Sequence, residues 1–267
     1  MVIPNAFKKF APGCEVEVRL AFHFLGMDTV SVRMRYPLGW RRTQELTVPF
    51  NSMLISEQED KLFERWRSHR PQLVRDGLVN EAAYVASSPR VVLVLKEVND
   101  KGGGGWDLRD VLQEGKRWQT WNTVTRWMRG LRKLDRDLTW PEIQAKPSED
   151  ERRCAVRSLC VIILKKEPGG SSSDRAAVHR YANEDSAYLR EQFDLYDPDL
   201  VICGGVGEVF RSVIDARPWQ RTSRGVRYVK VADSYHVIDY YHPQARYPLG
   251  MLYFTLIDAV RELRGYS

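Results

Sequence analysis

The sequence predicts an α/β fold: a three-layer sandwich around a mainly parallel four-stranded sheet, preceded by an N-terminal β-hairpin and helix extension. Three apolar runs are continuous, as expected for strands buried on both faces of a parallel sheet. They are VVLVL at 91–95, CVIIL at 160–164 and LVIC at 200–203. Helix-like segments separate these runs, which favours strand–helix–strand units. We therefore predict an N-terminal extension over 1–88 and an α/β domain over 89–267.

The N-terminal region has the period of two that is typical of half-buried strands. Residues 14–24 and 29–36 alternate between apolar and polar side chains and are joined by a short LGMD segment. This pattern predicts a β-hairpin, with a third strand at 43–49. A helix is predicted over about 56–70, because Ser56 is followed three residues later by Glu59 in a capping-box pattern.

The other elements of the α/β domain follow from helical spacing and from one less apolar run. That run, HVIDYYH at 236–242, is predicted to be the fourth strand. Helices are predicted over 118–134, 184–196, 206–214 and about 245–264. The first of these helices carries basic residues largely off its apolar stripe, and they are Arg126, Arg129, Arg132 and Lys133.

The composition is basic, with a net charge of +6 and eight Trp in 267 residues. Cations release counterions from phosphates and aromatic rings stack on bases, so a nucleic-acid partner fits, although an ordinary basic cytoplasmic protein fits too. No apolar run approaches the roughly 20 residues of a membrane span, and the N-terminus lacks the apolar stretch of a signal peptide. We therefore expect a cytoplasmic protein without a membrane partner.

The cysteines do not form a recognisable metal site. None belongs to a C-x-x-C pair and no His lies at zinc-finger spacing from any of them. We expect them to be small buried residues in a reducing compartment, and we predict neither a metal nor a cofactor. The four are Cys14, Cys154, Cys160 and Cys203.

The loops that follow the predicted strands are where ligands bind in open α/β sheets. After the first strand come Glu97, Asn99 and Asp100, which can hold or deprotonate a water, then four glycines and Trp106. The glycines would let the backbone approach a substrate closely. A charged turn with a flexible loop is the alternative interpretation.

The other three strand-end loops carry weaker signals. Lys165 and Lys166 precede PGGSSS, a combination that suits a phosphate backbone. Gly204-Gly205-Val206-Gly207 does not satisfy a nucleotide-binding glycine motif, so we expect it to pack a helix start closely on the sheet. The last loop, 241–246, contains a His braced by Pro and followed by Arg, which we interpret as functional.

Taken in order, these segments across about residues 90–263 resemble the uracil-DNA glycosylase superfamily. VVLVLKEVND occupies the place of the apolar strand and its water-activating loop, and CVIILKKEPGG that of the middle strand with its base- and backbone-contacting loop. DPDLVICGG is similar to the strand before a short helix, and YYHPQAR matches the closing His-Pro motif. The chain departs from the family where Ile163 falls near the expected uracil-reading Asn, and where Gln244 follows Pro243.

The resemblance implies an enzyme that hydrolyses the N-glycosidic bond of a base flipped from double-stranded DNA. Glu97, Asn99 or Asp100 would position water, and a neutral His242 would donate a hydrogen bond to the departing base. The resemblance also implies substrate contacts from the strand-end loops, which we assign to Trp106, Trp118, Lys165, Lys166, Tyr241 and Arg246.

The long insertion GGGGWDLRDVLQEGKRWQTWN is similar to that of bacterial antiphage glycosylases of this fold, which remove a bulky modified cytosine from phage DNA. Repair of uracil or a damaged base is an alternative within the same class. A noncatalytic nucleic-acid-binding protein, with function carried by the hairpin and basic helix, and a small-nucleotide hydrolase remain open alternatives from other classes. The excised base, the role of the hairpin and the oligomeric state stay open.

Overall fold

The computed structural model describes residues 15–22, 28–35, 41–46, 54–100, 103–115, 119–170, 173–231 and 234–265. Its strands are β1 (Glu15–Phe22), β2 (Asp28–Arg35), β3 (Arg41–Leu46), β4 (Gly77–Leu78), β5 (Val91–Leu95), β6 (Leu159–Ile163), β7 (Leu200–Gly204), β8 (Gln220–Arg221), β9 (Arg227–Val231) and β10 (Tyr235–Tyr240). Its helices are α1 (Ile55–Arg67), α2 (Glu81–Val85), α3 (Leu108–Gln113), α4 (Gln119–Leu131), α5 (Trp140–Gln144), α6 (Glu149–Arg157), α7 (Arg175–Glu184), α8 (Ser186–Asp194), α9 (Gly207–Val213) and α10 (Leu249–Arg264). None of these helices is long and apolar enough to cross a membrane.

The N-terminal strands form a separate antiparallel sheet in the order β1-β2-β3. The register places Val18 opposite Val32 in the first pair and Val32 opposite Gln44 in the second. The predicted hairpin is therefore confirmed, and the third strand lies at 41–46 rather than 43–49.

The main sheet has seven strands in the order β4-β6-β5-β7-β10-β9-β8. The four predicted strands are its parallel core, β6-β5-β7-β10, and the outer strands pair antiparallel to it. The predicted number of four strands was too small. Two of the missed strands have only two residues each, and the third, RYVKV, alternates with charged residues and has no continuous apolar run.

The main sheet also begins earlier in the chain than the predicted boundary at residue 88. Gly77 and Leu78 of β4 pair with Val161 and Cys160 of β6, so the segment 54–88 contributes an edge strand to the α/β unit. Helix α1 packs against α8 in the same unit. This edge strand could not be predicted, because a strand of two residues shows no periodicity in the sequence.

Two hydrophobic clusters lie on the two faces of the main sheet. Val91, Leu93 and Leu95 of β5 pack into one cluster, with α3, α4, α6 and α10, while Val92 and Val94 pack into the other, with α1, α7, α8 and α9. Because successive strand residues point to opposite faces, a continuous apolar run is needed to fill both clusters. Both faces of the sheet are thus covered by helices.

The buried thiols and the start of α1 test two smaller predictions. Cys160 and Cys203 are fully buried free cysteines, as predicted, whereas Cys154 is only partly buried, and Cys14 lies outside the described residues. The Ser56–Glu59 capping box was wrong. Ser56 donates through its backbone and hydroxyl to Glu81 (3.0 and 2.7 Å), and Glu59 is buried, where it accepts hydrogen bonds from Tyr196 and the Leu78 amide.

Helix α4 confirms the predicted apolar stripe but not the predicted exposure of one of its basic residues. Trp121, Val124 and Met128 are buried along its apolar stripe, as predicted. The predicted basic outer side was wrong for Arg126, because its guanidinium is buried and donates to the backbone carbonyls of Ile143 (2.6 Å) and Ala145 (3.0 Å). That guanidinium caps the carbonyls of a neighbouring turn and does not face a nucleic acid.

Candidate active site

The four loops after the parallel strands meet at one edge of the main sheet. The loops after β5 and β6 are held together, since the Lys165 amide donates to the Lys96 carbonyl (2.9 Å) and the Asp100 amide donates to the Gly169 carbonyl (3.1 Å). The loops after β7 and β10 are also joined, because the Gly205 amide donates to the carbonyl of Tyr240 (2.8 Å). The predicted convergence of these loops follows from the parallel strand order.

Glu97, a predicted water-positioning acid, forms a nearly buried ion pair. Its carboxylate lies 2.6 Å from the Lys165 ammonium, and the side chains are 5% and 11% exposed. Lys165 also donates to the carbonyls of Glu167 (3.1 Å) and Pro168 (3.0 Å). A Cβ built on Gly169 would lie 2.1 Å from a Glu97 carboxylate oxygen, so only glycine leaves room for this pair.

Neither predicted phosphate-binding lysine faces solvent with a free ammonium. Lys165 is engaged with Glu97, and Lys166 is fully buried, where it lies 2.6 Å from Asp76 and 2.8 Å from the Gln192 amide oxygen. The expectation that these lysines contact phosphates therefore does not hold in this conformation. Both had looked available because sequence position at a strand end does not show which way a side chain turns.

Asn99 and Asp100, the other two candidates for holding water, differ in their surroundings. Asn99 is exposed, and its side chain makes no hydrogen bond with another described residue. The indole N–H of Trp106 donates to Asp100 (2.9 Å), and Trp106 is half-buried against the core, so its ring is partly occupied. Trp118 lies outside the described residues.

His242 follows the end of β10, and one of its two ring nitrogens accepts a hydrogen bond. The backbone amide of Gln244 donates a hydrogen bond to Nδ1 of His242 (3.1 Å). This bond requires an unprotonated Nδ1, so in the neutral ring the donor is Nε2. Burial, and next the charge of Lys96, lower the pKa of His242 below its ordinary 6.5. The imidazole is thus set up as a neutral Nε2–H donor.

Gly204 and Gly205 create the space between the loops after β5 and β10. A Cβ on Gly204 would lie 2.8 Å from Leu95 and 3.3 Å from Pro243, so the His-Pro turn packs directly on the strand end. Gly205 has a φ of +74°, and a Cβ there would lie 3.8 Å from both the Lys96 Cε and the His242 Cβ. These two glycines let the His-Pro turn pack on the strand end and bring Lys96 beside His242. The predicted close packing of the helix start on the sheet is seen instead at Gly207, where a Cβ would lie 2.3 Å from Asp239 of β10.

A cleft of about 710 Å³ opens beside these residues. It is lined by five cations and two carboxylates, namely Lys96, Arg175, Arg221, Arg224, Arg227, Glu208 and Asp239. The side chains of Lys96 and of the exposed Arg175 make no hydrogen bond or ion pair with another described residue, while Arg227 pairs with Glu208 and Asp239. The excess of positive charge favours an anionic or polyanionic ligand.

Sequence reasoning missed most of this cleft. Lys96 stands next to Glu97 and could have been found from its strand-end position. Arg221, Arg224 and Arg227 belong to the short β8–β9 hairpin, which has no apolar pattern to reveal it. Only tertiary folding brings that hairpin to the cleft.

Tyr241 and Arg246, the last two predicted contact residues, are both exposed at the surface. Tyr241 lines the cleft and packs against Tyr247, with ring centroids 4.6 Å apart. Arg246 is exposed and makes no hydrogen bond or ion pair with another described residue. These two side chains are accessible to a ligand, unlike the two lysines of the β6 loop.

Within the described residues, no group of three or more His, Cys, Asp or Glu side chains is arranged to hold a metal ion. In the comparisons with known proteins, no family model, no curated protein and no solved structure matches the chain.

Proposed function

We propose that this chain is a DNA glycosylase that hydrolyses the N-glycosidic bond of a modified base and leaves an abasic site. The observation that carries the proposal is the hydrogen bond from the Gln244 backbone to Nδ1 of His242, which leaves Nε2 as a donor at the parallel strand ends, beside Lys96 and a cationic cleft. The order of motifs that resembles the uracil-DNA glycosylase superfamily supports the same reaction class.

The chemistry needs a donor at the leaving base. As the glycosidic bond lengthens, the sugar gains oxocarbenium character and the base gains negative charge. A neutral His242 donating from Nε2 stabilises an oxygen of the departing base, and the nearby charge of Lys96 adds to that stabilisation. The lowered pKa of His242 keeps the ring in this form at neutral pH.

The attacking water needs a hydrogen-bond acceptor on the sugar side. Asn99 is the exposed candidate, and Asp100 is the acidic one, already oriented by the Trp106 indole. Glu97 is committed to Lys165. We therefore assign water positioning to the Asn99–Asp100 pair, with Glu97 supporting the loop.

The proposed substrate is a bulky modified cytosine in phage DNA, and the role is antiphage defence. The cleft volume of about 710 Å³ lies within the range of small-molecule sites and exceeds what one unsubstituted pyrimidine fills. Arginines beside carboxylates also suit the hydroxyl groups of a sugar substituent. Ile163, near the position of the family's uracil-reading amide, is buried in β6 and offers no side-chain hydrogen bond.

Single-turnover excision tests this proposal. DNA duplexes carrying uracil, hydroxymethylcytosine or glucosylated hydroxymethylcytosine are incubated with excess protein, and abasic sites are revealed by alkaline cleavage. We expect excision from a modified cytosine, and about a 100- to 1000-fold slower rate for His242→Ala with DNA binding retained. His69→Ala, which does not line the cleft and contacts Tyr188 instead, is the matched control and should behave as wild type.

Three outcomes would contradict parts of the proposal. Undiminished excision by a stable, DNA-binding His242→Ala protein would refute the role of His242. Fast uracil excision with nothing on modified cytosines would instead indicate repair. DNA binding without abasic sites on any substrate would favour the noncatalytic alternative. The nearly buried Glu97–Lys165 ion pair is compatible with that alternative, because it leaves the Glu97 carboxylate unavailable to a water.

A further inference from the structure

An exposed aromatic patch borders the cleft. Five large apolar side chains in the described chain are strongly exposed, and four of them lie together: Trp140 (49%), Tyr247 (47%), Tyr241 (37%) and Met251 (36%). The fifth, Leu54, lies at the start of α1. Clustered exposure of this kind marks an interaction surface, whereas scattered exposure does not.

The four side chains are connected through the start of α10. Tyr241 and Tyr247 pack with their centroids 4.6 Å apart, and both Tyr241 and Met251 line the cleft. A Cβ built on Gly250 would lie 3.1 Å from the Trp140 ring, so Trp140 covers the first turn of that helix. We call these four residues the aromatic patch.

We propose that the aromatic patch binds unpaired bases of single-stranded DNA that leads into the cleft. Unpaired bases present faces that stack on exposed aromatic rings, whereas paired bases stack on each other. The cations near the patch favour a polyanionic partner, because Arg246, which precedes Tyr247 in the chain, is exposed, and Lys96 and Arg175 line the adjoining cleft. A protein partner would not need this combination of open rings and unpaired cations.

This inference rests on the proposed nucleic-acid partner but not on base excision. It adds a substrate form to the proposed function: a strand that is single or locally opened beside the flipped base. The binding energy of stacked neighbours would help to offset the unpairing that base flipping requires.

Binding to two strands of equal charge tests the proposal. A labelled oligodeoxythymidine is compared by fluorescence anisotropy with a strand of the same number of phosphates in which abasic spacers replace the bases. We expect the thymidine strand to bind about 5- to 150-fold more tightly for each base stacked. Tyr247→Ala should lose that advantage and leave binding of the spacer strand unchanged.

Two variants keep the test selective. Tyr247→Phe retains the ring face and should bind as wild type, which separates stacking from the hydroxyl group. Leu54→Ala removes an exposed apolar side chain outside the patch and should also bind as wild type. Light scattering of the wild type and of Tyr247→Ala reports whether the patch is an interface between two copies of the chain.

The proposal is overturned if wild-type protein binds both strands equally, or if Tyr247→Ala weakens both strands by the same factor. It is also overturned if the protein is a dimer that Tyr247→Ala makes monomeric. If neither strand binds and duplex DNA does not bind either, the nucleic-acid partner itself is refuted. Weak spacer binding with tight thymidine binding supports stacking, whether or not any base is excised.

Discussion

The Glu97–Lys165 ion pair offers a direct way to separate a structural role from a catalytic one. Lys165→Met removes the ammonium and leaves the Glu97 carboxylate, which is 5% exposed, without a counter-charge. Glu97→Gln/Lys165→Met removes both charges while keeping the two side chains similar in size. The single variant should therefore be unstable, and the double variant should recover the part of the loss that comes from the uncompensated charge, although it still lacks the hydrogen bonds of Lys165 to the carbonyls of Glu167 and Pro168.

The magnitude follows from the burial of the pair. Removing one partner of a fully buried ion pair costs roughly 3–5 kcal/mol, because a charge is left uncompensated. Both side chains keep slight exposure, so we expect the low end of that range, about 3 kcal/mol for Lys165→Met. For a chain of this size that loss lowers Tm by roughly 6–12 °C. The coupling free energy between the two positions should be about 1–3 kcal/mol.

Thermal unfolding and single-turnover excision are measured on wild type, both single variants and the double variant. If Glu97 serves only to hold the loop after β5, activity follows stability and the double variant regains both. A double variant with wild-type Tm that excises about 100- to 1000-fold more slowly would refute this reasoning and return Glu97 to the water-positioning role. Additive stability losses would show that the ion pair contributes little.

Three further predictions concern pH and salt. Burial and the charge of Lys96 lower the pKa of His242 below 6.5, so the rate of excision should fall only as pH drops through that lowered value. Lys96→Met removes the positive charge, so the acid limb of the pH–rate profile should move to higher pH. An unmoved limb would contradict the coupling. In a salt series of DNA binding, Arg175→Gln should reduce the slope of log Kd against log salt concentration by about 1. Arg126→Gln, the control, should lower Tm and leave the slope unchanged. Equal slopes for both variants would show that Arg175 does not contact DNA. Burial raises the pKa of Glu59 from 4.5 to about 7. The contribution of this shift to the free energy of unfolding is therefore complete below pH 4.5 and is lost as pH rises through about 7. Glu59→Gln should flatten the pH dependence of the urea midpoint, and an unchanged dependence would assign it to another group.

The sequence by itself determined the parallel core and the end of the sheet at which the proposed site lies. Strands buried on both faces must be apolar throughout, and the three continuous runs therefore marked β5, β6 and β7. His242 and Asn99 could be placed at one edge for the same reason, since parallel strands end together. The N-terminal hairpin was equally readable, because its alternation has a period of two.

Only the tertiary structure decided which of those edge residues are available. Lys165 and Lys166 stand directly before a partly exposed loop, yet one binds Glu97 and the other is fully buried beside Asp76. An ammonium pairs with whatever carboxylate the fold brings within reach, and Asp76 is 90 positions away in the chain. No local pattern encodes such a pairing.

The cleft was likewise decided by long-range packing. Its arginines come from α7 and from a hairpin whose short, charged strands have no periodic signal. Lys96 lies beside His242 because the glycines at 204 and 205 let two loops approach each other. Periodicity records whether a segment is buried on one face or two. It does not record which distant segments share a surface, because that depends on contacts between parts of the chain that are far apart in sequence.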